Sequence, residues 1–169
     1  FGALLDGLDA RGAQDQTLVV FTADHGEEFW DHGKFEHGHA LWSELTRVPL
    51  LVRGPGVPSA QVDTVVEHVD LVRGLLARTG AQVPEGLGGA DLFSLLGPYQ
   101  ERSAMSEDCL NGPTCLDLVT RDYRLSANLD TARAAVFPVL APGVDGPQRG
   151  GPEEDAAGQR LMAELIAKR

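Results

Sequence analysis

Two short apolar runs constrain the fold more than any other feature of the chain. Thr17-Leu18-Val19-Val20-Phe21-Thr22 and Val48-Pro49-Leu50-Leu51-Val52-Arg53 are nearly continuous in apolar and β-branched residues and do not alternate with polar ones. That is the pattern of strands buried on both faces. Val19 and Phe21 are expected on one face and Leu18 and Val20 on the other, with Leu50 and Val52 continuing the buried set in a neighbouring strand. The first run breaks off at Ala23-Asp24-His25-Gly26 and the second at Gly54-Pro55-Gly56, both turn-forming. Phe1, Leu4, Leu5 and Leu8 have helical spacing and stop near Gly12. Val69, Leu71, Val72, Leu75 and Leu76 give a second helix over Glu67–Thr79, stopped by Gly80. Strand, crossover, strand, helix is the rhythm of an α/β layered fold. In such folds, polar loops at the carboxyl ends of strands carry the chemistry, which points to Asp24–His39.

The rest of the chain reads less sharply. Asp24–His39 is too irregular for a helix or strand, and Ala40–Leu45 is a short helix. Asp91–Leu96 is one or two helical turns, and Cys115–Arg121 with Tyr123–Ala127 form a hairpin around Arg121-Asp122. Pro138–Pro152 is rich in Pro and Gly and reads as a surface loop or linker, and Glu153–Lys168 closes the chain as a helix. The chain opens at Phe1 within a helical pattern, with no Met and no signal-like segment, as expected of a fragment.

Charge excludes several functions. Fourteen Lys and Arg against 25 Asp and Glu give a formal charge of -11. A nucleic-acid surface needs clustered basic residues, and so does an electrostatic membrane anchor. No apolar run approaches the ~20 residues that span a bilayer, so membrane anchoring would require an upstream segment. Cys109 and Cys115 flank Asn111-Gly112-Pro113. They can form a small disulfide loop or remain two free thiols. With no second Cys pair, a zinc knuckle is excluded.

Four of the 5 histidines lie between Asp24 and His39. Asp and His are metal ligands and proton-transfer groups. Neighbouring residues in an extended strand point to opposite faces, so Asp24 and His25 grip one ion only if the chain turns, which Gly26 permits. A mixed oxygen and nitrogen donor set suits zinc or manganese better than calcium. Two ligands do not complete a site.

Thr17–Glu27 and His37–Gly56, with their paired Asp24-His25-Gly26 and Arg47-Val48-Pro49 blocks, resemble the second half of a sulfatase domain of the alkaline phosphatase superfamily. The resemblance is dense from about Gly2 to Gly80. Further on, Val69-Asp70-Leu71-Val72 is similar to the helix after the family's Pro-Gly strand, and Gly89-Ala90-Asp91-Leu92 to its later Gly-x-(Asp/Ser)-Leu turn. The resemblance implies an alkaline phosphatase-like α/β fold with a mainly parallel sheet layered with helices. Residues 1–97 would be the C-terminal part of the catalytic domain, and residues 98–169 a small α+β extension. Asp24 and His25 match two metal ligands. Calcium arylsulfatases read Asp-Asn there, so Asp-His favours zinc or manganese. His37 matches a substrate-binding His of related phosphoethanolamine transferases, His39 is its rival for a substrate or acid role, and Lys34 is a third candidate.

The family's nucleophile lies upstream, and neither Cys109 nor Cys115 has the Cys-x-Pro-x-Arg setting of a formylglycine precursor. Residues 1–169 alone are therefore expected to be inactive. The expected activity of the whole protein is metal-dependent cleavage of small-molecule or glycan sulfuric esters. Phosphoryl transfer within the superfamily, as by a phosphodiesterase or phosphoethanolamine transferase, is the first alternative, and a non-catalytic metal-binding module the second. The resemblance and the Cys pair imply a periplasmic or extracellular location, or a membrane anchor supplied upstream.

Overall fold

A computed structural model describes residues 1–168 except 142, 143 and 149. Helix α1 spans Gly2–Ala10 and ends where Gly12 takes φ 65. Strand β1 (Val19–Thr22) pairs antiparallel with β4 (Leu50–Arg53), with Val20 opposite Val52. Between them lie a two-residue ladder, β2 (Glu28–Phe29) with β3 (Phe35–Glu36), and a short helix α2 (Ser43–Thr46). The expected helix over Ala40–Leu45 thus begins three residues later, and the stretch read as irregular holds a small hairpin.

The two apolar runs are neighbours, as expected, but burial on both faces is not found. Phe21 is 41% exposed and Leu51 54%. The β1–β4 pair stands as a two-stranded sheet among the described residues, and Phe21 and Leu51 stay exposed although the Phe1 ring lies 5.0 Å from Phe21. Every strand pairing among the described residues is antiparallel, and the parallel neighbours implied by the resemblance are not supplied by them.

Helix α3 (His68–Thr79) starts with a capping box, in which Asp70 accepts from the Glu67 N–H and Glu67 from the N–H of Asp70. It ends at Gly80, φ 74. Gly74 lies so close to the 3-10 turn Leu92–Leu95 that a Cβ there would sit 2.9 Å from the Leu92 nitrogen. Asp70 is fully buried, and burial opposes its charge. Arg102, at 2.7 and 3.0 Å, and the N–H groups of Glu67 and Ala90 outweigh that and hold its carboxyl below the ordinary carboxylate value.

Residues 104–168 form a five-stranded antiparallel sheet: β5 (Ala104–Glu107), β6 (Cys115–Val119), β7 (Tyr123–Asn128), β8 (Arg133–Ala141) and β9 (Val144–Asp145). Helix α4 (Pro152–Lys168) lies across it. Ala157, Leu161 and Leu165 recur every four residues on the buried face of the helix, and Leu161 and Leu165 join Leu116, Leu118, Leu125 and Ala127 of the sheet in one cluster. The expected 115–127 hairpin is present in register, with Leu118 opposite Leu125. Pro138–Pro152 is not wholly a loop, because β8 runs on to Ala141. Pro138 has no N–H to give, but its carbonyl accepts from the Gly146 N–H at 2.6 Å, so a proline is tolerated in this strand.

Replacing Asp70 by Asn removes the charge facing Arg102. A loss of about 3 kcal/mol is expected from breaking this buried pair, read by denaturant unfolding. Because the folded-state pKa of Asp70 is depressed, its contribution is present above about pH 4 and fades as pH falls through the lower folded value. Asp70→Asn should flatten that acid limb. An unchanged limb would show that Asp70 does not set it.

Candidate metal and substrate site

Asp24 and His25 follow β1 after Ala23. The His25 N–H donates to Asp24 Oδ1 at 3.0 Å, and His25 Nδ1–H donates to the Gly26 carbonyl at 2.8 Å. A carbonyl only accepts, so Nδ1 carries the proton and Nε2 keeps its lone pair. That Nε2 lies 3.8 Å from Asp24 Oδ2, on a carboxylate that is 89% exposed. The donor set fits a divalent cation, with one bare imidazole nitrogen and one open carboxylate oxygen facing a common point. The N–H groups of His25 and of Asp24 itself hold the Asp24 carboxyl below its ordinary value.

Gly26 serves the site by close approach rather than by a left-handed turn. Its N–H donates to the Leu45 carbonyl at 2.8 Å, and a Cβ there would sit 1.9 Å from the Glu44 carbonyl oxygen. Any side chain would push the loop away from α2.

The His37 ring packs on the His25 ring, centroids 4.0 Å apart at 32°. His37 Nδ1–H donates to Glu27 Oε1 at 3.0 Å, which leaves Nε2 to meet a substrate. His39 turns the other way. Its side chain is only 10% exposed, and its Nε2–H donates to Glu28 Oε2 at 2.7 Å. Lys34 lines a cavity of about 350 Å³ together with Glu28, His32, His39, Trp42 and Arg124. The sequence candidates therefore fall into two groups, Asp24, His25 and His37 on one side and His39 and Lys34 on the other.

Glu28 was not among those candidates, yet it organises the loop. It is fully buried, and its Oε1 accepts the N–H groups of His32 at 2.9 Å and Lys34 at 3.1 Å. Burial opposes its charge, but the His39 bond and these two N–H groups hold its carboxyl below the ordinary value. His32 was missed as well. It donates from Nδ1 to Glu44 Oε1 at 2.6 Å and stacks on Trp42 at 4.1 Å. Glu28, His32 and Glu44 hold ligand-type atoms within 4.8 Å of one another, a second, competing place for a cation. The signal for His32 is present in the chain, since Asp31-His32-Gly33 repeats Asp24-His25-Gly26.

The C-terminal sheet closes the far side of the cavity. Arg124 on β7 is buried and pairs with Asp145 at 2.6 Å and with Asp117, while donating to the Leu41 carbonyl. Asp145 also accepts from Ser43 Oγ at 2.9 Å, so the segment leading into α2 is bonded to the sheet.

Comparison with known proteins bears on the family and the fold. The Sulfatase family model matches residues 1–81. The uncharacterized sulfatase YidJ of Escherichia coli is 32% identical over 125 residues, which cover 70% of this chain and 25% of that protein. Arylsulfatase K of Xenopus laevis is 36% identical over 96 residues, covering 56% and 18%. The solved structure of BT4656 in complex with its substrate D-glucosamine-2-N,6-O-disulfate superposes with a TM-score of 0.78 at 23% identity, covering 99% of this chain and 36% of that one. The chain thus spans about a third or less of the length of these proteins, and it shares the fold of the solved structure. With residues 1–81 matched to the family and a sulfatase 32% identical across 70% of this chain, the chain belongs to the sulfatase family of the alkaline phosphatase superfamily, of which it forms part of a domain.

Proposed function

We propose that the whole protein hydrolyses sulfuric esters with a divalent metal ion, and that this chain supplies two ligands and a substrate-facing imidazole. The observation that carries the reading is the convergence of Asp24 Oδ2 and His25 Nε2, 3.8 Å apart, beneath the His37 ring. Asp24 and His25 hold the ion, zinc or manganese rather than calcium given the imidazole donor. Such an ion, when bound, polarises an ester oxygen as a Lewis acid. His37 presents Nε2, with Glu27 fixing its tautomer, to offset charge on a sulfuryl oxygen or to pass a proton to the leaving oxygen. His39 acts through Glu28 as a positioning residue, and Lys34 adds positive charge at the cavity. The nucleophile comes from elsewhere in the protein.

The substrate is a sulfated small molecule or glycan, a reading supported by the disulfated glucosamine bound in the BT4656 structure. Residues 1–97 are assigned to the catalytic domain and 98–169 to its extension. The location is periplasmic or extracellular, or membrane-anchored through an upstream segment, a reading supported by the Cys109 and Cys115 pair. Among the described residues, no helix is long and apolar enough to cross a membrane.

Parallel turnover of an aryl sulfate and a phosphate diester by the whole protein, stripped of metal and then reloaded with zinc or manganese, tests the reading. Metal-dependent turnover with a preference for the sulfate is expected, and His37→Ala should lower kcat by about 10²–10⁴-fold. A preference for the phosphate diester would transfer the site to phosphoryl chemistry, and turnover indifferent to Asp24→Ala would remove Asp24 from the metal site.

Glu28→Gln should lower kcat by about 10–100-fold by loosening the loop while leaving the metal-binding stoichiometry intact. With its depressed folded-state pKa, Glu28 supports the loop above about pH 4.5 and loses hold as pH falls through the lower folded value. Activity lost on the acid side in the native protein should therefore lose that component in Glu28→Gln. A variant as active as the native protein, with the same acid limb, would show that Glu28 does not position the loop.

A further inference from the structure

The loop joining β5 to β6 lies on the site rather than in solvent. The ladder ends at Glu107 opposite Leu116, and the Asp108 N–H donates to the Cys115 carbonyl at 2.9 Å. Asp108 then takes φ 64, which turns the chain back at Cys109. Cys109 and Cys115 therefore sit on either side of the open end of this ladder, both with free thiols and both half-buried.

From this base the loop reaches over the histidine segment. The Asn111 N–H donates to the Gly38 carbonyl at 2.6 Å. A Cβ at Gly112 would sit 2.5 Å from the His39 carbonyl oxygen, so two backbones pack with no room for a side chain. Leu110 at the tip is 87% exposed and adds little burial to hold the loop down. Its position depends on the Asn111 bond and on how tightly its two ends are tied.

We propose that Cys109 and Cys115 form a disulfide that closes residues 109–115 into a strap over His37-Gly38-His39, so that the redox state of the pair sets how firmly this segment is held. The two thiols give up two protons and two electrons, and one S–S bond forms. A low-molecular-weight disulfide such as oxidised glutathione takes both, its own S–S bond breaking to leave two thiols. Burial, then the neighbouring Cys115, pushes the Cys109 thiol up to about 12. One protein thiolate attacks the glutathione disulfide and releases one glutathione thiol, and the other protein thiolate then attacks the mixed disulfide and releases the second. The strap itself is independent of the catalytic reading, and only its consequence for His37 in turnover rests on that reading.

The test uses the whole protein equilibrated in glutathione buffers of oxidising and reducing poise, quenched in acid, alkylated and digested. In the oxidising buffer a peptide spanning Cys109 and Cys115 should be unalkylated and lighter by two hydrogens than its reduced form. Recovery of both thiols alkylated in that buffer would overturn the disulfide. Hydrogen exchange supplies the second readout. The Asn111 amide and the 37–41 segment should exchange about tenfold more slowly in the oxidised protein, and Cys109→Ser/Cys115→Ser should show the reduced rate in both buffers. A disulfide that forms without slowing exchange over 37–41 would overturn the strap. Neither readout uses turnover, so failure of the sulfuric ester reading would leave both results standing.

Discussion

Arg124 is buried to the tip of its guanidinium, and groups from three parts of the chain close around it. Asp117 comes from the neighbouring strand β6, Asp145 from β9, and the Leu41 carbonyl and Trp42 ring from the segment entering α2. A cation in that position has lost its water and depends on these partners. The compensation is incomplete in detail, since Arg124 Nε and Asp117 Oδ1 find no partner among the described residues. Burial, opposed by Arg124, raises the Asp117 carboxyl to about 6. A well-packed apolar cluster would hold the sheet together as well. What the ion pairs add is direction, since they fix residues 41–43 against one strand of the sheet, and the cavity beside the histidines opens at that junction.

Glu28 does for the loop what Arg124 does for the junction. A buried carboxylate left alone would be costly, and here it is matched by two backbone N–H groups and one imidazole. Those donors come from residues 32, 34 and 39, so the ends and the middle of a twelve-residue loop are drawn to one side chain. Gly26 sets the loop against α2, and the 109–115 loop covers it at Gly38. The open pair, Asp24 and His25, is left at the rim, where its donors are free to meet an ion.

Elements set by local chemistry were legible in the chain. Helix 68–79 follows from its apolar spacing and its Gly80 stop, and the 115–127 hairpin from two short strands around Arg121-Asp122. Asp24 and His25 stand out because they end an apolar, β-branched run abruptly. Other features depend on partners distant in sequence. Arg124 looks like any strand cation until Asp117, Asp145 and Leu41 are brought to it. Glu28 reads as one acid among many in a chain with 25 Asp and Glu, and only its burial reveals its role. The full burial expected of β1 and β4 assumed a layer on each face, and Phe21 and Leu51 stay exposed. The proline-rich stretch after Phe137 misled because composition does not show that a strand position needs only its carbonyl.

The central claim is that the cation sits between Asp24 and His25 rather than at Glu28, His32 and Glu44. Anomalous diffraction from crystals of the whole protein loaded with manganese or zinc decides it, because the scattering peak marks the ion directly. The account predicts a peak within coordination distance, about 2.0–2.2 Å, of an Asp24 carboxylate oxygen and His25 Nε2. A peak bridging Glu28, His32 and Glu44, with Asp24 and His25 left unliganded, would contradict it.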